Sequence, residues 1–296
     1  MTLHTVGDGM RLAESGAPGP RIAIAFGTHG DERAPIDAGL ELVARIERGA
    51  LELAAGTLLL VHSNPLASAQ DRRWSEGGVD LNRCFHASVL AREPALFEER
   101  RARAIAAALD DHAIEALVDF HCTVEPGRRF LMQHPPALDE AHRAVTRWLR
   151  ADVLLADPRL WFGGVSLDEL LSTRGRVGVC YETGWIRDPA NTPESVLDEM
   201  TNLLAGTGLV AGDATAHDEK RRLELDAVVR CEGDGFRWED GVGENLQELR
   251  AGTRLGAYAD GTPVELESDA TLIFPKKKPE LVERKKPLVY LAARRG

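Results

Sequence analysis

Cysteine is scarce: four thiols in 296 residues, with no CxxC pair. That excludes a disulfide framework and a zinc ribbon, and it makes a reducing cytosol the expected location. Basic side chains are in deficit, with 36 Lys and Arg against 47 Asp and Glu and a net charge of −11. Such a balance argues against nucleic acid as a partner, because a general binder carries a basic footprint. No apolar run approaches the ~18 residues that a membrane span requires, so no membrane association is expected. The opening MTLHTVGDGMRLAESG lacks a basic n-region and an apolar h-region, so no secretory signal is expected. What is present is ordinary for a globular chain: 44% apolar and 28% charged residues. The length exceeds what one core usually supports and predicts a large domain with a smaller one.

The first two-thirds of the chain alternate between β-branched apolar runs and stretches of helical period. Strands are expected at Arg21–Gly27, Thr57–Asn64, Ala116–Cys122, Phe130–His134, Val153–Ala156 and Val177–Glu182. Helices are expected at Ala34–Arg48, Leu96–Asp110, Asp139–Arg150 and Ser166–Ser172. Another should start near Pro193, with Thr192 as N-cap. Near-continuous apolar strands alternating with helices predict an α/β fold with a mixed, mainly parallel sheet covered on both faces. After about Gly206 the texture changes to short runs bounded by Gly, Asp or Pro, as in EGDG and ADGT. These predict a small antiparallel β domain over residues 207–296, following a larger domain over residues 1–206.

Chemistry-bearing residues gather at the ends of the apolar runs. His29 and Glu32, three apart in GTHGDE after the first strand, are spaced to reach one metal ion. Alone, this is equally a polar strand-to-helix loop with an acid near the helix N-terminus. His121, in DFHCT, closes another apolar strand, and in an open α/β sheet ligands collect at the carboxyl ends of strands. Two His and one Glu with a fourth position open form the ligand set of a catalytic zinc hydrolase. Asp119, on the same strand face as His121, is placed to orient its ring; a buried, unligated His121 is the alternative. Glu182, in CYETG, ends a third strand, where an apolar setting is costly for a carboxylate unless it is paired, hydrated or working. It is a candidate general base toward a metal-activated water, or else a solvent-facing strand end. Between the metal candidates lies RRWSEGGVDLNR, residues 72–83. Asn82 and Arg83 suit recognition of a carboxylate, and a neighbouring arginine suits an oxyanion. Cys84, Cys122 and Cys180 each flank a motif residue, and packing accounts for them better than nucleophilic chemistry.

Taken together, GTHGDE, DLNR, DFHCT and YETG resemble the succinylglutamate desuccinylase/aspartoacylase family, a branch of the zinc carboxypeptidase-like hydrolases. The resemblance runs from about Arg21 to the end of the chain. It implies one zinc per chain held by His29, Glu32 and His121, with Glu182 as the catalytic glutamate. It implies substrate binding by Asn82 and Arg83 and polarisation of the scissile carbonyl by Arg73, with Arg72 open because the loop is longer than the family pattern. Arg174, in STR before the last strand of the catalytic half, corresponds to the family arginine that grips an acyl-side carboxylate. A C-terminal β domain over the mouth of the site is implied too. The family's pocket tyrosine from that domain has no counterpart here, the nearest segment being Phe274-Pro275-Lys276-Lys277-Lys278.

The activity expected is zinc-dependent hydrolysis of the amide of a small N-acyl amino acid, or a related carboxylate-bearing amide, in the cytoplasm. A zinc carboxypeptidase acting on peptides and a metal-free binding module on the same fold are the alternatives. The substrate expected is a small anionic amide. Residues 276–286, with six basic and two acidic side chains, either form a solvated loop or raise the potential at the site for such an anion. Homo-oligomerisation is left open by the sequence.

Overall fold

In the computed structural model, residues 1–134 and 140–294 are described. The strands in chain order are β1 (Thr2–Gly7), β2 (Met10–Glu14), β3 (Arg21–Phe26), β4 (Thr57–His62), β5 (Ala116–Thr123), β6 (Phe130–Gln133), β7 (Val153–Ala156) and β8 (Val177–Trp185). They continue as β9 (Arg221–Arg230), β10 (Arg237–Trp238), β11 (Glu248–Leu249), β12 (Arg254–Ala257), β13 (Pro263–Glu265), β14 (Ala270–Ile273) and β15 (Pro287–Arg294). The α-helices are α1 (Arg33–Glu47), α2 (Pro65–Ala69), α3 (Ala87–Ala91), α4 (Phe97–Asp111), α5 (Glu140–Thr146), α6 (Leu167–Thr173) and α7 (Pro193–Gly206). The helix expected over Asp139–Arg150 is thus shorter at its C-terminal end, and Asp139 lies outside the described residues. Thr192 caps α7 as expected, its hydroxyl accepting from Ser195 N–H, with Pro193 in the first turn.

Twelve strands form one sheet in the order β1-β2-β4-β3-β5-β8-β6-β7-β9-β15-β14-β11. Its centre, β4-β3-β5-β8, is parallel, as is β6-β7-β9, while β6 runs antiparallel to β8. The mixed α/β architecture with helices on both faces is therefore as the sequence predicts. Alternation along the strands splits the core in two. Ile24, Phe26, Leu58, Leu60, Val118, Phe120 and Tyr181 pack with α1 and α7, whereas Ala23, Ala25, Leu59, Val61 and Leu117 pack with α4 and α6.

Two features were not anticipated. A hairpin, β1–β2, turns at Gly9 in the left-handed region (φ 64°) and edges the sheet against β4. Its β1 is largely exposed and polar, so no apolar run announces it. The C-terminal strands also continue the main sheet: β9 pairs in parallel with β7, and β15, β14 and β11 follow antiparallel. Only β10-β12-β13 form a separate antiparallel sheet among the described residues. No helix of the described residues is long and apolar enough to cross a membrane.

Candidate active site

Parallel strands β3, β5 and β8 bring three motifs to one edge. His29 and Glu32 follow β3, His121 lies near the end of β5, and Glu182 is the register partner of His121 on β8. All four are buried, and side-chain alternation sets Asp119, His121, Cys180 and Glu182 on one face. His29 Nδ1 lies 2.6 Å from Glu32 Oε1, and His121 Nδ1 lies 3.2 Å from Glu32 Oε2. Candidate ligand atoms of the three residues all fall within 4.8 Å of one another. The opposite nitrogen of each ring is held by a carboxylate. His29 Nε2 is 3.2 Å from Asp80 Oδ1, and His121 Nε2 is 2.9 Å from Asp119 Oδ2. Asp119 is in turn fixed by the Thr28 hydroxyl. Two imidazoles oriented from behind by carboxylates, with their other nitrogens turned to a third carboxylate, are a donor set that fits zinc.

Electrostatics follow from this convergence. Burial and Arg73 push the His29 pKa down, but Glu32 and Asp80 outweigh them and leave it raised. Burial likewise opposes the charge on His121, yet Asp119 and Glu32 hold its pKa well above the ordinary 6.5. Burial would raise Glu32, but the two imidazoles hold it far below the usual carboxylate range. Binding a cation here must expel the protons the rings carry, so metal affinity and pH are coupled. Glu182 stands apart. Burial pushes its pKa up to about 7, Glu32 adding to the rise and His121 opposing it. Its Oε2 is buried with no hydrogen-bond partner among the described residues.

The 72–83 loop supplies the cationic side. Arg73 faces the cluster, with Nη1 4.0 Å from Glu32 Oε1 and Nη2 3.5 Å from Asp80 Oδ2, and its carbonyl accepts from Gly30 N–H. Arg72 turns outward to Glu76. Asp80 is a residue that sequence reasoning passed over, although it opens the DLNR motif. It orients His29, pairs with Arg73 and caps the 3-10 turn Leu81–Arg83 by accepting from Asn82 N–H. Asn82 Oδ1 accepts from Leu167 N–H at the start of α6. Arg83 is exposed, its Nη1 donating to the Asn82 carbonyl.

Arg174 is not part of this constellation, contrary to the expectation. It is the C-cap of α6, with Nη1 2.6 Å from Asp110 Oδ2 at the end of α4. The chain turns there through left-handed Gly175 (φ 73°) to begin β8, whereas Glu182 lies toward the other end of that strand. Glu182 lies five residue steps along the strand from Val177, or roughly 17 Å, which puts the arginine at the wrong edge of the sheet. The cysteines are free and buried. Burial raises the Cys84 thiol to about 12 and drives those of Cys122 and Cys180 well up, so none is a poised thiolate.

Residues 18–154 match the family model of the Succinylglutamate desuccinylase/Aspartoacylase catalytic domain. The resemblance read from the motifs is borne out, and three of the four lie inside the matched span. No curated protein matches in sequence. Among solved structures, a succinylglutamate desuccinylase from Vibrio parahaemolyticus is 18% identical with a TM-score of 0.76, covering 97% of this chain and 86% of that one. The product-bound ectoine utilization protein of Ruegeria pomeroyi is 21% identical with a TM-score of 0.72, covering 96% and 88%. Murine aminoacylase 3 is 18% identical with a TM-score of 0.70, covering 94% and 96%. The fold is shared with all three.

Proposed function

We propose that the whole chain is a zinc-dependent amidohydrolase of the succinylglutamate desuccinylase/aspartoacylase kind, cleaving a small N-acyl amino acid or a related carboxylate-bearing amide. The observation that carries this reading is Glu182: a buried carboxylate with a free oxygen, raised toward neutrality, beside two oriented imidazoles and a third carboxylate. Perturbed carboxylates in such a setting mark catalytic groups. His29, Glu32 and His121 would hold one zinc per chain. When bound, that ion polarises a carbonyl and lowers the pKa of a coordinated water. Glu182 accepts a proton at Oε2 from the attacking water and returns it to the nitrogen of the departing amine. Arg73, aimed inward from the loop, stabilises the oxygen on which negative charge develops. Asn82 and Arg83 hold a substrate carboxylate, and residues 207–296 cover the mouth of the site. Four buried thiols without a disulfide suit a cytoplasmic enzyme.

The test pairs metal analysis with amine release. Purified protein should contain about one zinc per chain and release the amine from members of an N-acyl amino acid panel. Release from peptides alone would favour the carboxypeptidase alternative. A protein that takes up no metal and cleaves neither class would overturn the enzyme reading.

A further inference from the structure

The loop that presents Arg73 has little of its own to hold it. Between Asp71 and Val79 every residue is exposed or half-buried except Ser75, which is 2% exposed. The Arg73 carbonyl accepts from Gly30 N–H at 3.4 Å, and its guanidinium lies 3.5 Å from Asp80 and 4.0 Å from Glu32. What fixes the loop is Glu98, fully buried in the first turn of α4. Its Oε1 accepts from Ser75 N–H at 3.1 Å and from the Ser75 hydroxyl at 2.5 Å, and its Oε2 accepts from Val79 N–H at 3.4 Å. Oε1 also accepts from Asn64 Nδ2 at 3.4 Å, and Asn64 is the N-cap of α2.

Glu98 is more than an acid at a helix start. Its neighbour Glu99 does that work for α4, accepting from Ala95 and Leu96 N–H. Glu98 forms no ion pair with a basic side chain among the described residues; neutral donors meet its charge, and three of the four belong to the loop. Hydrogen bonds to an ionised acceptor are the strong ones. Gly78 is matched to the carboxylate: a Cβ there would lie 2.4 Å from Glu98 Oε2 and 2.5 Å from Ser75 Oγ. Gly78 is not among the left-handed glycines, so close approach and not backbone freedom excludes a side chain. Arg73 lies two residues before the clasped segment and Asp80 one residue after it, and the two side chains meet beside His29. Asn82 and Arg83 are secured separately, by the 3-10 turn after Asp80 and by Asn82 Oδ1 accepting from Leu167 N–H.

We propose that Glu98 is a positioning residue: by clasping Ser75 and Val79 it holds Arg73 where negative charge develops on the substrate. The role of Arg73 rests on the amidohydrolase reading, but the clasp does not, and amide hydrogen exchange of the full-length protein reads it without turnover. In Glu98→Gln the side chain keeps its shape but offers one acceptor oxygen in place of two. Exchange of residues 72–80 should rise about tenfold, the scale of one hydrogen bond, while β5 and β8 stay protected. Gly78→Ala drives a methyl group into the clasp from the loop side and should loosen the same segment. At equal metal content both variants should lower kcat about tenfold or more and change KM less than about threefold, because a misplaced donor to developing charge is felt in the transition state alone. In an Arg73→Ala background neither change should cost more than about twofold further, since no guanidinium is left to position. Glu76→Gln removes an exposed carboxylate from the same loop and should leave exchange and kcat unchanged. Thermal unfolding checks that each variant is folded. Unchanged exchange in Glu98→Gln, near-normal kcat in both variants, or a loss that multiplies fully with that of Arg73→Ala would overturn the proposal. A loop that loosens in Glu98→Gln, alongside a wild-type chain that releases no amine from any substrate, would instead fall on the amidohydrolase reading.

Discussion

Two buried histidine–carboxylate clusters lie among the described residues, built from the same residue types to different ends. In the first, His29 and His121 turn their Nδ1 atoms toward Glu32, and beside them stands Glu182, whose Oε2 has no hydrogen-bond partner among the described residues. In the second, His134 lies between two aspartates, with Nε2 2.7 Å from Asp168 Oδ2 and Nδ1 3.6 Å from Asp157 Oδ2. Glu169 completes that group, and ligand atoms of His134, Asp157 and Glu169 also lie within 4.8 Å of one another. Proximity therefore does not separate the two. Commitment of the oxygens does. Glu169 accepts from the backbone of Gly164, Val165 and Ser166 and from the Ser166 hydroxyl, closing the capping box of α6. Its carboxylate is spent on holding a helix start. The ring between two aspartates is a buried ion network: burial opposes its charge, but Asp168, helped by Asp157 and Glu169, lifts the His134 pKa to about 10. In the first cluster a free oxygen of Glu182 stands beside the candidate ligands; in the second, the atoms left without a hydrogen bond among the described residues are His134 Nδ1 and Asp157 Oδ2, which face each other at 3.6 Å as an ion pair.

That distinction predicts metal content first. His121→Ala should abolish zinc binding, and wild-type protein should hold one ion per chain. Two ions, with one lost in Asp157→Asn, would erase the difference between the clusters. Next, Glu182→Gln should keep zinc and fold while kcat falls by about 10²–10⁴, the usual share of a general base. Near-normal turnover in that variant would move the base elsewhere.

In the second cluster the expected loss is of stability. His134→Gln leaves two buried aspartates without their cation and should cost ~3–5 kcal/mol, with zinc content per folded chain unchanged. The sign with pH follows from the raised value. Protonated His134 stabilises the fold fully below its ordinary 6.5, and that stability is lost as pH rises toward about 10. Wild-type unfolding free energy should therefore decline across this window by up to ~1.4 kcal/mol per pH unit. A decline just as steep in His134→Gln would assign it to other groups.

The arginines sharpen the comparison further. Arg73→Ala should mainly lower kcat and Arg83→Ala mainly raise KM, because the first meets charge that develops and the second a carboxylate present throughout. The reverse pattern would exchange their roles. The smallest effect should come from Arg174→Lys, where a partly exposed pair with Asp110 is worth about 0.2–1 kcal/mol at most and catalysis should not change. A shift in acyl selectivity there would return Arg174 to the pocket.

What the sequence by itself determined is the part governed by local pattern. Apolar runs at Arg21, Thr57, Ala116 and Val177 became the central strands, because a strand buried on both faces must be apolar throughout. His29, Glu32, His121 and Glu182 were legible since strand ends in a parallel sheet share one edge, so motifs closing successive strands converge whatever lies between them. Tertiary structure alone decided the matters of direction and distance. Arg174 and Glu182 are eight residues apart yet belong to opposite edges, because the helix-to-strand turn at Gly175 intervenes. Arg73 rather than Arg72 faces inward, which the register of an irregular loop settles and no periodicity encodes. Asp80 and Glu98 gained their surroundings from segments far off in sequence, one beside His29 and the other against the 72–83 loop. Side chains whose role depends on what they face across the fold carry no mark of it in their own neighbourhood, since charge acts through space and not along the chain.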